Sequence, residues 1–65
     1  MNVVGVDFDY FMTSMVRYGE EENKLCMDIK CRLKNEIADR SFTIEIPGIN
    51  EFIKEAFKKE GIIDG

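Results

Sequence analysis

The sequence predicts an α+β fold: a three-stranded antiparallel sheet in β-β-β-α order, with one C-terminal helix packed on one face. Three observations carry that expectation. Residues 24–34 alternate apolar and polar side chains with period two. Residues 41–46 repeat the alternation and stop at Pro47-Gly48. Residues 49–60 then switch to helical spacing, with Ile49, Phe52, Ile53, Ala56 and Phe57 at i, i+3, i+4, i+7 and i+8.

The central segment is the cleanest. Leu25, Met27, Ile29, Cys31 and Leu33 share one parity, and Cys26, Asp28, Lys30, Arg32 and Lys34 share the other. Opposite parity sends Cys26 and Cys31 to opposite faces, so one regular strand cannot bridge them. The next strand places Phe42, Ile44 and Ile46 inward and Thr43 and Glu45 outward. The N-terminal segment is longer. Val4, Val6, Phe8, Tyr10, Met12, Val16 and Tyr18 share a parity that Ser14 interrupts. A bend or bulge is expected near Thr13 or Ser14, with Gly5 a second candidate. A short helix over residues 10–18 is the rival reading, with Tyr10, Phe11, Ser14, Met15 and Tyr18 on one stripe.

The polar run Gly19–Asn23 reads as a hairpin loop. Pairing Tyr18 with Leu25 aligns Val16 with Met27, Met12 with Cys31 and Tyr10 with Leu33, and sets Asp9 opposite Lys34. The second hairpin aligns Leu33 with Phe42, Cys31 with Ile44 and Ile29 with Ile46, and pairs Lys30 with Glu45. In the helix, Glu51 in the first turn and Lys58 and Lys59 in the last suit the dipole. Gly61 fits the C′ position and Ile62 the apolar site of a Schellman motif against Phe57. The expected core is Tyr10, Met27, Ile29, Leu33, Phe42, Ile44, Phe52, Ile53 and Phe57.

Composition bounds the function. A chain of 65 residues forms one small domain, residues 1–65, near the lower limit for independent folding. Its 45% hydrophobic content is that of a globular chain. No apolar run is long enough to span a membrane, and Met1-Asn2-Val3-Val4 lacks the features of a signal peptide. A cytoplasmic location with reduced thiols is therefore expected. With two Cys and no His, one chain lacks a structural zinc set, and no metal or other cofactor is expected. The net charge of −4 argues against binding a phosphate backbone. The acidity is concentrated early, where Asp7, Asp9, Glu20, Glu21 and Glu22 face Arg17 alone.

Five features bear on chemistry. Val3-Val4-Gly5-Val6-Asp7-Phe8-Asp9-Tyr10 resembles the nucleophile strand of haloacid-dehalogenase-type phosphatases. That resemblance implies an attacking Asp7, and Asp7 and Asp9 near Mg²⁺. The same stretch is similar to the first phosphate strand of the actin and sugar-kinase superfamily. It departs from the first pattern at Phe11 and from the second at Asp9, and the plainer reading is a strand bearing two solvent-facing acids. A cysteine nucleophile would need a base, which the absence of His does not supply; Cys31 reads as a small core hydrophobe and Cys26 as the more exposed thiol. Phe11, Lys30 and Arg32 on an open sheet would suit nucleic acid, but Asp9, Asp28 and Glu45 interleave with the bases. Val3, Phe11 and Met15 lie on the parity that the helix does not cover, as a protein-contact patch would. Glu20-Glu21-Glu22 reads as a solvated hairpin tip, or more sharply as an acidic finger for a basic groove.

The residues thus point to a non-catalytic protein-protein interaction module: an inhibitor, adaptor or accessory subunit with a protein partner, and a homodimer. Its contact residues would be Val3, Phe11, Met15, Glu20, Glu21 and Glu22, with the acidic N-terminal third facing a basic partner surface. The alternatives are a Mg-dependent phosphoryl-transfer or nuclease-type fragment using Asp7 and Asp9, and a nucleic-acid-binding sheet using Phe11, Lys30 and Arg32.

Overall fold

The computed structural model describes residues 1–64. The chain runs β1 (Asn2–Val3), β2 (Val6–Gly19), β3 (Lys24–Leu33), β4 (Arg40–Pro47) and α1 (Ile49–Lys59). The strands form one antiparallel sheet in the order β1-β2-β3-β4. The α+β class and the C-terminal helix agree with the sequence, but the sheet has four strands rather than three. The extra strand arises at Val4-Gly5, where φ values of 49° and 83° make a two-residue turn with both central residues left-handed. The Gly5 amide also donates to Asn2 Oδ1 at 3.0 Å. Gly5 therefore reverses the chain instead of bulging it.

The parity of β3 holds. Ile29 and Cys31 are buried at 3% and 1% exposure, and Lys30 is exposed. We call the face bearing Leu25, Met27, Ile29, Cys31 and Leu33 the inner face. In β2 the pleat is broken twice, between Phe8 and Tyr10 and between Thr13 and Met15. The second break is the expected bulge. The first was not anticipated, and each bulge exchanges the two faces of the strand beyond it. Phe8, Phe11, Thr13, Val16 and Tyr18 consequently pair with inner-face residues of β3, while Tyr10, Met12, Met15 and Arg17 pair with outer-face residues.

Several expected partners move as a result. Tyr18–Leu25 and Val16–Met27 pair as anticipated, but Met12 meets Lys30 and Tyr10 meets Arg32. Asp9 forms its ion pair with Arg32 at 3.3 Å rather than with Lys34. The β3–β4 register is displaced by an even number of residues, so its faces survive: Ile29 pairs Phe42 and Met27 pairs Ile44. Glu45 lies opposite Cys26 and reaches Lys24 at 3.3 Å instead of Lys30. The displacement follows from the far end of β4, where Pro47 pairs Lys24 and the Gly48 amide donates to Asn23 O at 2.8 Å.

That junction also fixes the helix. Gly48, at φ 75°, is the N-cap and supplies no side-chain cap. Asn23 in the β2–β3 turn does so from across the fold, accepting the Asn50 amide on Oδ1 at 2.8 Å. Asn50 Nδ2 donates to Glu20 O at 3.0 Å, and the Tyr18 hydroxyl donates to Asn50 Oδ1. At the other end the Schellman bonds form as expected, Ile62 N–H to Phe57 O and Gly61 N–H to Lys58 O.

The helix meets the sheet at β3, and Tyr18 ties its first turn to the inner face. It covers that face only in part. Ile49 and Ile53 are half-buried, but Phe57 is 42% and Phe52 69% exposed. Asn50 is held toward Tyr18, and this rotates the row Ile49, Ile53 and Phe57 toward the sheet. Phe52 and Ala56, one turn-step to the side, are left on an outer shoulder. Of the expected core only Ile29 is buried: Met27, Leu33, Ile44 and Ile53 are half-buried, Phe42, Phe52 and Phe57 are exposed, and half-buried Tyr10 is sent to the outer face by the first bulge.

Candidate protein-contact surface

The inner face is mainly apolar and poorly roofed, with Thr13 opposite Ile29 and the Arg40–Glu36 pair opposite Cys31 as its polar members. On β2, Val6 is 43% and Val16 54% exposed, and on β4 Phe42 is 44% exposed. Half-buried Phe8 and Phe11 lie between them along β2, their rings edge to face with centroids 5.1 Å apart. The Phe52 shoulder of the helix is the other large apolar element. Isolated exposed apolar side chains are ordinary on protein surfaces, but these occupy the face on which Ile29 and Cys31 form the interior.

The outer face is mixed: Met12 and Met15 are 52% and 55% exposed on it, among charged side chains that are largely paired with one another. Arg17 grips Asp28 with two bonds, 2.6 and 3.1 Å, and Thr43 donates to the same carboxylate at 2.8 Å. The Arg17 hydrogen bonds, then that from Thr43, hold the Asp28 carboxyl below the usual carboxylate range. The same contact raises the Arg17 guanidinium. Ser14 donates to Asp28 O at 3.2 Å, so the second bulge is tied into this cluster. An open depression of about 380 Å³ lies beside it, bordered by Ser14, Asp28, Ile29, Lys30, Ser41, Phe42 and Thr43. Farther along, Arg32 lies 5.6 Å from the Tyr10 ring centroid and near the carboxylates of Asp9 and Asp39. Partial burial, and then Asp39, push the Tyr10 phenol up.

The predicted site residues divide between these regions. Val3 is half-buried and pairs Val6 at the β1–β2 end. Phe11 lies on the inner face opposite Cys31, and Met15 is 55% exposed on the outer face opposite Asp28. The expected Val3–Phe11–Met15 patch is thus split by the second bulge. Phe11 is likewise separated from Lys30 and Arg32, so the proposed nucleic-acid trio does not share a face. Glu20, Glu21 and Glu22 stand exposed in the β2–β3 turn as expected. Asp7 accepts a 2.9 Å bond from Asn2 Nδ2, and Asp9 faces Arg32. Among the described residues no three His, Cys, Asp or Glu side chains are grouped to hold a metal ion. Cys26 is half-buried and Cys31 buried, both as free thiols.

The sequence reasoning missed Phe52, which it placed in the core, and Val16 and Phe42 as uncovered positions. No local signal showed it: the helix start is held by bonds from Asn50 to Asn23, Glu20 and Tyr18, about thirty residues away in the chain. No family model matches the chain, and comparison with curated proteins and with solved structures finds no match. Among the described residues no helix is long and apolar enough to cross a membrane.

Proposed function

We propose that the chain is a non-catalytic protein-protein interaction module whose contact surface is the uncovered inner face together with the Phe52 shoulder. The observation that carries this reading is the mismatch between the apolar face and its roof: Phe42, Val16 and Phe52 remain 44%, 54% and 69% exposed. Exposed aromatic side chains are what protein interfaces enrich. The acidic Glu20-Glu21-Glu22 tip stands beside the helix start, where it would attract a basic rim on a different protein and repel a second acidic copy. Asp7 and Asp9, on which the magnesium-dependent alternative rests, are engaged by Asn2 and Arg32.

The test is photocrosslinking in the native host. A benzophenone amino acid is placed at Phe52, and in a separate control at Met12 on the outer face. The expected result is a polypeptide adduct from position 52 that exceeds any from position 12. No polypeptide adduct from position 52 would sink the proposal.

A further inference from the structure

The geometry points to a second copy of this chain as the occupant of that surface: a two-fold homodimer in which each Phe52 shoulder covers the other copy's exposed inner face. This rests on the protein-binding reading above.

A compact chain of 7.5 kDa exposes roughly 4,250 Å². This chain exposes 5187 Å². The excess, on the order of 900 Å², is close to the ~800 Å² that each partner buries in a standard interface. The shape agrees. The radius of gyration is 15.9 Å, where a compact chain of this length has about 11 Å. The long extent is 51 Å. β2 spans roughly 46 Å at the usual strand rise, while the helix is only ~16 Å long. One helix therefore cannot roof its own sheet.

Two-fold symmetry solves that shortage. A two-fold interface uses the same patch on both copies, so the patch must complement itself. Here one copy holds both parts: an exposed apolar sheet face carrying Val6, Val16 and Phe42, and a helix shoulder carrying Phe52. The two-fold sets each part against the other and uses both at once. It also adds core to a chain whose only buried apolar residues, among those described, are Ile29 and Cys31.

Charge separates this occupant from a basic partner. Each copy carries −4, so self-association works against like-charge repulsion and tightens as salt rises. Capture of a basic protein weakens with salt.

Sedimentation equilibrium of the purified chain tests the proposal. The expected mass is twice the 7.5 kDa of one chain, with an association that strengthens with salt. Phe52→Glu should raise the dimer dissociation constant more than ~100-fold, because it buries an unpaired carboxylate. Phe52→Ala, which adds no charge, should raise it about 30-fold, and Met12→Glu should leave it unchanged. Circular dichroism should show both Phe52 variants folded, since that side chain is 69% exposed in one copy. The proposal is overturned if the wild type stays monomeric up to about 500 µM, which would allow only an association weaker than ~4–5 kcal/mol. It is also overturned if Phe52→Ala dimerises like the wild type. A monomer that still crosslinks another polypeptide through position 52 removes the homodimer and leaves the protein-binding reading standing. A monomer with no adduct removes both.

Discussion

Replacing Asn23 tests how the helix is held, and the structure fixes the size of the effect. Asn23 has two roles. Its Oδ1 accepts the Asn50 amide at 2.8 Å, and its backbone sits at φ 55°. Losing a side-chain cap costs ~1 kcal/mol, and Ala and Gly at position 23 both remove the capping oxygen. The left-handed conformation costs a residue with a Cβ roughly 1–2 kcal/mol, with Asn at the low end and Gly exempt. Asn23→Ala should therefore destabilise by about 2 kcal/mol and Asn23→Gly by at most ~1. In a chain of this size each kcal/mol moves Tm by about 4–8 °C. Asn23→Ala should thus lower Tm by roughly 8–16 °C, and Asn23→Gly by less than half as much. Thermal unfolding followed at 222 nm, at one fixed chain concentration, measures both. Equal melting of Asn23→Ala and wild type would refute the capping argument. Equal losses in the two variants would refute the strain argument alone. The Asn23 carbonyl bond to Gly48 survives in each variant, so the comparison isolates side chain and φ.

Three further outcomes follow from the same structure. Ile29→Ala, at a site only 3% exposed, should cost about 2–5 kcal/mol in urea unfolding; a loss below ~1 would mean the interior is elsewhere. Asp28 is held below its ordinary value of 3.8, so its bonds to Arg17 and Thr43 stabilise the fold fully above that pH, and the stability is lost as pH falls through the lower folded value. Asp28→Asn should flatten the acid side of a Tm-against-pH curve, and an unchanged slope would contradict the linkage. Thiol titration of the native chain should label half-buried Cys26 first, with Cys31, 1% exposed, reacting only as the chain unfolds; equal rates would contradict its burial.

Residue order made some of this legible and left some hidden. Strict alternation from Leu25 to Leu33 defined the faces of β3 because a strand paired on both sides has no freedom to slip its pleat. Gly61 and Ile62 announced the helix end because the backbone there needs a residue without a Cβ. β2 was harder. Phe8, Tyr10 and Phe11 offer two incompatible parities, and an unbroken pleat can satisfy only one. The bulge at Asp9 settles the conflict by placing Phe8 and Phe11 together inside, and adjacent aromatics beside an acid were the visible trace of it. The expected contact patch failed on that point, since Phe11 was assigned by parity counted straight through Asp9, whereas two breaks return Met15 to the outer face. The exposed Phe52 was hidden for another reason. Helical spacing identifies an apolar stripe but not its rotation, which here depends on hydrogen bonds from Asn50 to residues far away in sequence.

The bridge from Asn23 to Asn50 also sets an order of assembly. An 11-residue helix is too short to persist in water by itself. Its cap is 27 residues upstream in the chain. The β2–β3 turn must close, and β4 must zip back to Lys24, before that amide has an acceptor. The cap thus couples the helix to both hairpins, and the apolar shoulder it carries is fully braced only once both stand.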